Sequence, residues 1–305
     1  MLKKIIIARH HGFCMGVKRA IRIAEDTARE ETGRVTILKE IVHNDAVVEK
    51  FRREDVRQAY SVDEVDEGTL IISAHGVEPD IIQKAVNKGL TVVDATCSLV
   101  RRIYDILDKI KDEYYIIHFG DPAHDETQGI VGHAPDRIRV IFDREEMLSL
   151  PAWKDRKLAL TVQTTANLED FLEVQKLARE KWPHIKIFKT ICNATHQRQS
   201  AILELAPKVD MVLVVGSVTS ANSNRLVKIS EPLCRRALLI NSDEDIKEEW
   251  FQEDRGVEKV GLTAGASTPD FLVKAVIERL VSISGGMAEV ITQEDVETEN
   301  NFSQP

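Results

Sequence analysis

The sequence has no apolar run that reaches the roughly 18 residues a membrane-spanning helix needs. Residues 1–7 are too short for the apolar core of a signal peptide, and they lead directly into His10 and His11. We therefore expect a cytoplasmic protein that does not enter a membrane. Basic residues are also few, because 41 basic against 50 acidic residues give a net charge of −9. This balance disfavours nucleic acid as a partner, although a local basic pocket is not excluded.

Cysteine is scarce, and the compact cysteine motifs are missing. The four cysteines include no C-x-x-C pair, and spacings of 83 and 95 residues separate Cys14, Cys97 and Cys192. A zinc ribbon or a thioredoxin-like pair is therefore disfavoured. In the cytoplasm we expect thiols or metal ligands rather than disulfides.

Cys14, Cys97 and Cys192 share one local context, since each ends an apolar or β-branched run and precedes a helical pattern. The start of a helix favours a thiolate, which is the form that iron and zinc bind. The repeated context suggests three α/β units of about 90 residues that bring three thiolates to one centre. A 4Fe-4S cluster with three cysteine ligands has one iron open to a substrate. Any one of these cysteines alone would be read as a small buried hydrophobe, and Cys234 lacks the context and is assigned no role.

Short β-rich runs alternate with helical patterns along the chain, which predicts an α/β fold with parallel or mixed sheets covered by helices. The predicted strands are residues 4–8, 35–38, 70–73, 91–94, 114–119, 138–142, 157–161, 185–188, 211–215, 237–240 and 259–263, and the predicted helices include 17–32, 98–111, 168–181, 196–206 and 269–283. We expect α/β domains at 14–96, 97–191 and 192–290, an N-terminal strand within 1–13 that joins the third domain, and a flexible tail at 291–305.

Polar side chains follow several predicted strands, where α/β sheets commonly bind ligands. His43 and His75 each come after a strand and would suit an anionic oxygen. The loops at 216–225 and 263–270 carry hydroxyl and carboxamide groups at helix starts, and two such loops in one domain favour a diphosphate. Taken singly, each histidine is more typical of a surface or capping residue, and each loop of simple helix capping.

Glu126 lies after the strand at 114–119, and Gln163, Thr164 and Thr165 follow the strand that starts at Lys157. A carboxyl group beside hydroxyls in a partly dry pocket is a plausible proton donor, because burial raises its pKa. Exposed loop acids usually have no such role. The assignment of Glu126 therefore depends mainly on the resemblance described next.

Eight motifs occur in the order found in one enzyme family. They are GFCMGV at 12–17, VHN at 42–44, SAHGV at 73–77, DATC at 94–97, QTT at 163–165, CNAT at 192–195, SANSNRL at 220–226 and TAGAS at 263–267. From residue 4 to about residue 283 the chain closely resembles the 4-hydroxy-3-methylbut-2-enyl diphosphate reductases. These enzymes catalyse the last step of the methylerythritol phosphate route to isoprenoids.

The resemblance implies three α/β domains arranged as a trefoil around a 4Fe-4S cluster, with Cys14, Cys97 and Cys192 as its ligands. The substrate alcohol is expected to bind the open iron, Glu126 to deliver protons and Thr165 to relay them. The substrate-binding residues that the resemblance implies are His43, His75, His124, Thr165, Ser220, Ala221, Asn222 and Ser267. Two electrons then remove the hydroxyl as water and give isopentenyl and dimethylallyl diphosphate. Because the chain has no nucleotide-binding glycine motif, we expect a ferredoxin- or flavodoxin-type protein as the electron donor.

The chain departs from the family pattern in three places. His10 and His11 stand where Pro-Arg usually precedes Gly-Phe-Cys, which changes the charge beside the first ligand. The loop that is usually His-Pro-Glu-Val reads His-Asp-Glu-Thr at 124–127, so a rigid proline is replaced by a second carboxylate next to Glu126. Ala221 occupies a common serine position, which removes one phosphate hydrogen bond.

Two other classes of protein remain open. A quinolinate-synthase-like dehydratase would also use three cysteines and an open iron, but it would turn over without an electron donor. A non-enzymatic iron-sulfur sensor would bind no diphosphate, and the hydroxyl-rich loops around Ser220 and Ser267 argue against it.

Overall fold

The computed structural model describes residues 2–252 and 256–294, and over these ranges the chain is an α/β protein. The strands are β1 (Lys4–Ile7), β2 (Val35–Leu38), β3 (Arg57–Ala59), β4 (Thr69–Ile72), β5 (Thr91–Asp94), β6 (Tyr114–Phe119), β7 (Ile138–Ile141), β8 (Lys157–Val162), β9 (Lys186–Ile187), β10 (Met211–Val215), β11 (Arg236–Ile240), β12 (Lys259–Ala264) and β13 (Glu289–Thr292). The helices are α1 (Met15–Glu30), α2 (Asp45–Arg53), α3 (Pro79–Asn87), α4 (Ser98–Ile110), α5 (Asp125–Gly132), α6 (Arg144–Ser149), α7 (Leu168–Lys181), α8 (Asn193–Leu205), α9 (Ala221–Ser230) and α10 (Asp270–Ile283).

The chain divides into two compact units. The first unit contains the described residues of Met1–Cys14, His43–Asp45 and Asn193–Pro305, and the second contains Met15–Val42 and Ala46–Cys192. Within the described ranges, every strand pairing is parallel. The predicted α/β class with parallel sheets is therefore confirmed.

The second unit holds two four-stranded sheets, ordered β3-β2-β4-β5 and β7-β6-β8-β9. Ile103 and Leu107 of α4 are fully buried in one core cluster with Ile116 of β6 and Ile130 of α5. Fully burying a side chain of this size contributes about 1.5–3 kcal/mol. This shared core fixes α4 and α5 on the sheet whose strand ends carry the candidate site.

The first unit holds one five-stranded sheet, ordered β11-β10-β12-β1-β13. The N-terminal strand β1 lies inside this sheet, with Ile5 aligned to Val260 of β12 and to Val290 of β13. Ile5 packs into the core cluster on one face and Ile6 into the cluster on the other, as the two-residue period of a strand requires. The expected pairing of the first strand with the last third of the chain is confirmed.

All eleven predicted strands are present, and the structure adds β3 and β13. Both added strands are short edge strands with mostly exposed side chains, so neither has the apolar run that marks a buried strand. Strand β13 extends two residues into the predicted tail, and residues 295–305 of that tail lie outside the described residues. The three-domain division with boundaries at 97 and 192 stays a prediction. No helix in the described ranges combines the length and apolar character needed to cross a membrane.

Candidate active site

The same backbone hydrogen bond is found at each of the three predicted ligand cysteines. The backbone N–H of the cysteine donates to a carbonyl two residues beyond the end of a parallel strand. The pairs are Cys14 with Ala266 after β12 at 3.0 Å, Cys97 with Ala74 after β4 at 2.9 Å, and Cys192 with Thr164 after β8 at 2.9 Å. A helix begins at the next residue in each case. The three thiols, all half-buried, therefore occupy equivalent places at strand ends.

The residue after each accepting carbonyl is a predicted substrate residue. His75 follows Ala74, Thr165 follows Thr164, and Ser267 follows Ala266. The cysteine turn and the predicted polar group are thus joined by one peptide bond in all three places.

Glu126, in the first turn of α5, is a buried carboxyl group whose two oxygens both accept hydrogen bonds from Thr164. The Thr164 N–H donates to Oε1 at 2.7 Å, and the Thr164 hydroxyl donates to Oε2 at 2.6 Å. Burial raises the pKa of Glu126 to about 7, although the two bonds from Thr164 act in the opposite direction. Glu126 can therefore carry a proton near neutral pH, as a general acid must.

His124 caps α5, and its ring lies beside the ring of His75. The Glu126 N–H donates to His124 Nδ1 at 3.1 Å, so the ring accepts through that nitrogen and Nε2 carries the proton of the neutral form. The His75 and His124 rings meet edge to face with centroids 5.6 Å apart. In the second unit, the structure thus brings His75 next to His124, and His124 next to Glu126.

Thr165, the predicted relay, accepts a hydrogen bond from the Gln163 carboxamide at 3.0 Å. Its neighbour Thr164 instead holds both oxygens of Glu126 and also accepts from the Cys192 N–H. The QTT motif at 163–165 indicated this turn. The alternation that shows which side chains of a strand share a face, however, ends with β8 at Val162. No pattern in the sequence therefore indicated which of the two threonines contacts Glu126, and the contact made by Thr164 was not predicted.

In the first unit, the two hydroxyl-rich loops lie side by side. Ser223 fills the space between them, because a β-carbon on Gly216 or on Gly265 would come within 2.3 Å or 2.1 Å of the Ser223 hydroxyl. Ser220 caps α9 by accepting from the Ser223 N–H at 3.3 Å. The Ser267 hydroxyl donates to the His43 carbonyl at 2.9 Å. The structure therefore brings Ser220, Ser267 and His43 into this one unit.

Asn222 is a buried polar residue in the first turn of α9. Its side chain is 4% exposed, and neither carboxamide atom has a hydrogen-bond partner among the described residues. A buried polar group without a partner costs free energy unless something else binds it. Ala221, the first residue of α9, has no polar side chain to add.

Arg198 of α8 is a second residue that sequence reasoning missed. It is 5% exposed and donates to the carbonyl oxygens of Gly12 and Ala194. Gly12 has φ +67°, and its carbonyl lies two residues before Cys14. Arg198 therefore anchors the turn that leads to the first cysteine.

Cys234 lies in a different environment from the other three cysteines. Its thiol contacts the carbonyl oxygens of Ser230 and Arg236 at 3.3 Å, and burial raises its pKa. It packs at the edge of a hydrophobic core.

The parallel sheets, with polar groups following the strand ends, have the architecture of an α/β enzyme. Sequence comparison then identifies the family. The model of the LytB protein family matches residues 5–281, and the chain belongs to this family.

Two relatives and one solved structure agree with this assignment. A protein from Campylobacter hominis is 35% identical over 280 residues, covering 91% of this chain and 98% of its own length. One from Geobacter metallireducens is 38% identical over 281 residues, covering 92% and 98%. Both are named 4-hydroxy-3-methylbut-2-enyl diphosphate reductase. The structure of the E-1-hydroxy-2-methyl-but-2-enyl-4-diphosphate reductase from Plasmodium falciparum matches with a TM-score of 0.89 and 30% identity, covering 96% of this chain and 92% of that one.

Proposed function

We propose that this chain reduces 4-hydroxy-3-methylbut-2-enyl diphosphate to isopentenyl and dimethylallyl diphosphate. The observation that carries the proposal is the role of Thr164, which holds the buried acid Glu126 and accepts from the Cys192 N–H. This one residue connects a proton donor with a metal-ligand candidate. The names of the relatives supply the substrate.

The donor set fits a 4Fe-4S cluster with three protein ligands. Cys14, Cys97 and Cys192 stand at equivalent turns, whereas the Cys234 thiol is engaged with carbonyl groups. Three thiolates suit such a cluster and leave one iron open. When bound, the cluster would pass on the two electrons that the external donor delivers, and its open iron would act as a Lewis acid.

The diphosphate is assigned to His43, His75, Ser220, Asn222 and Ser267. The support is strongest at Asn222, whose buried carboxamide has no partner among the described residues. Hydroxyls at the start of α9 add donors near the positive end of a helix. Holding the diphosphate fixes the carbon skeleton for the reaction.

Glu126 delivers the protons that the reaction consumes. Its pKa of about 7 keeps a large fraction protonated at neutral pH. Thr164 fixes the direction of both carboxyl oxygens, so we assign it the orienting role beside the predicted relay Thr165. His124 accepts the Glu126 N–H through Nδ1, so Nε2 carries the proton of the neutral ring, and we assign this ring to the substrate pocket.

The electron donor is expected to be a ferredoxin- or flavodoxin-type protein, because no nucleotide-binding glycine motif occurs in the sequence. A cytoplasmic location also remains a prediction.

Anaerobic purification followed by an assay with dithionite, a viologen and the hydroxylated allylic diphosphate tests the function. We expect viologen-dependent formation of both diphosphate products. Turnover without any donor would instead indicate a dehydratase, and the absence of diphosphate binding by an iron-loaded protein would indicate a sensor.

A further inference from the structure

Lys39 directly follows β2 and has an unusual backbone conformation. Its φ is +60°, in the left-handed region that a side chain disfavours, and its N–H donates to the Ala59 carbonyl of β3 at 2.7 Å. The fold therefore holds the lysine in a conformation that this residue type would not choose by itself.

The Lys39 side chain contacts the first turn of α5. Its Nζ lies 2.5 Å from Asp125 Oδ1, and a longer contact of 3.4 Å reaches Gln128 Oε1. The Lys39 and Asp125 side chains are 31% and 18% exposed, so the pair is only partly open to solvent. The ammonium group thus holds α5 at its first residue and again three residues later.

Asp125 lies between the two α5 residues that matter for proton transfer. His124 precedes it as the cap, and Glu126 follows it. Successive side chains of a helix point about 100° apart, so Asp125 faces Lys39 while Glu126 faces Thr164. The first turn is therefore fixed from two directions.

We propose that Lys39 and Asp125 are a positioning pair that sets the orientation of Glu126 for proton delivery, an inference that rests on the proposed function. Neither residue is among the groups that we assign to the substrate or to the metal. A partly exposed ion pair adds little to global stability. Its effect should therefore appear in kcat rather than in folding, because small displacements of a catalytic group slow a reaction strongly.

A proline at residue 125 tests whether the position of the first turn of α5 matters in the absence of the Lys39–Asp125 ion pair. Asp125 is the first helical residue, where a proline is tolerated because the N–H has no partner within the helix. His124 has φ −77° and ψ 137°, which is the extended conformation that a residue before proline prefers. Asp125→Pro should thus restrain the same turn without Lys39.

The test compares Lys39→Met, Asp125→Asn and the double variant Lys39→Met/Asp125→Pro in the cluster-loaded protein. We expect each single variant to lower kcat about tenfold, with KM and iron content nearly unchanged. The double variant should recover at least about a third of the wild-type kcat, since proline restrains the turn independently. Lys84→Met is the matched control, because it breaks a similar ion pair, with Asp63 at 2.6 Å, on α3.

A double variant as slow as Lys39→Met, or single variants with normal kcat, would overturn the proposal. Hydrogen exchange of the amides at 126–130 provides a readout that needs no turnover. If the wild-type protein does not reduce the substrate, the proposed function fails. Faster exchange in the single variants, reversed by proline, would still support the pair, and unchanged exchange would reject it.

Discussion

At the scale of single residues, Thr164 contacts both the buried acid and a predicted ligand cysteine. Its N–H and hydroxyl both donate to Glu126, and its carbonyl accepts from Cys192. Any displacement of the turn after β8 would therefore move the acid and the cysteine together.

Thr164→Val should slow the reaction more than Thr165→Val. Valine keeps the shape of threonine but removes the hydroxyl that donates to Glu126 Oε2 at 2.6 Å. Because the donor form of Glu126 is neutral, this hydrogen bond contributes about 0.5–1.5 kcal/mol, and its loss should cost up to about tenfold in kcat. Steady-state kinetics of both variants check this ordering. Equal losses would point to a general requirement for threonine in the turn.

The activity should depend on the protonated form of Glu126. With a pKa of about 7, its donor form is lost as the pH rises above neutral, so kcat should fall on the alkaline side. Glu126→Gln should bind the substrate but turn over at least about a hundredfold more slowly, without that alkaline fall. A pH profile of kcat for both proteins tests the assignment, and near-normal turnover by the glutamine variant would remove Glu126 from the mechanism.

The same carboxyl group should also make stability depend on pH. Its pKa is raised from 4.5 to about 7 in the folded state, so its contribution is fully present below pH 4.5 and is lost as the pH rises through 7. The loss amounts to about 3 kcal/mol. Glutamine can still accept from the Thr164 N–H and donate to its hydroxyl. Urea unfolding should therefore show Glu126→Gln gaining stability relative to wild type between pH 4 and pH 8, and a constant difference would contradict the shift.

At the scale of elements, the repeated unit is a strand end, a carbonyl two residues later and a cysteine that donates to it. The sequence revealed the cysteines and the helices after them, because apolar runs and helical periods are local patterns. It could not reveal the accepting carbonyls, which come from residues between 23 and 252 positions away. Edge strands β3 and β13 were missed for the related reason that neighbouring strands, and not their own side chains, stabilise them.

The equivalent turns predict equivalent effects of substitution. Replacing Cys14, Cys97 or Cys192 by serine should deplete iron and sulfide, because each removes one of three thiolate ligands. Cys234→Ser is the control and should retain both. Iron and sulfide analysis of anaerobically purified protein measures this, and full occupancy in any of the first three variants would exclude that cysteine as a ligand.

The adjacent loops of the first unit predict a rescue. In Gly265→Ala, the new β-carbon would lie 2.1 Å from the Ser223 hydroxyl but 3.3 Å from its β-carbon. We expect a loss of about 1–3 kcal/mol from overpacking, together with a raised KM. Adding Ser223→Ala should restore most of both.

The matched comparison for this rescue is Gly216→Ala. Its new β-carbon would still lie 2.9 Å from the Ser223 β-carbon, so Ser223→Ala should help it less. Unfolding free energies and KM for the four variants check the packing. Equal rescue at both glycines would contradict the described contacts.

At the scale of the whole molecule, the first strand is an inner strand of the sheet in the first unit. Strand β1 lies between β12 and β13, so residues from both ends of the chain stabilise one sheet. The second unit forms its two sheets from one stretch of chain, which is interrupted only where His43–Asp45 belong to the first unit. Stability of the first unit therefore depends on a long-range pairing that the second unit does not need.

Ile5→Ala should destabilise the first unit more than the second. Ile5 is fully buried among Leu213 and Leu262, and truncating such a side chain costs about 2–5 kcal/mol. Val290→Ala on β13 is the control, because Val290 is 40% exposed. Of the three tryptophans, Trp250 lies in the first unit and the other two, at 153 and 182, lie in the second.

Single-tryptophan proteins therefore report on each unit during urea unfolding. We expect Ile5→Ala to lower the midpoint seen by Trp250 more than the midpoint seen by Trp182, since only the former packs in the core that contains Ile5. Val290→Ala should move both midpoints little, because an exposed side chain gains little free energy from folding. Identical shifts of both tryptophan signals in Ile5→Ala would mean that the two units unfold as one cooperative body, and the separation of their stabilities would then be wrong.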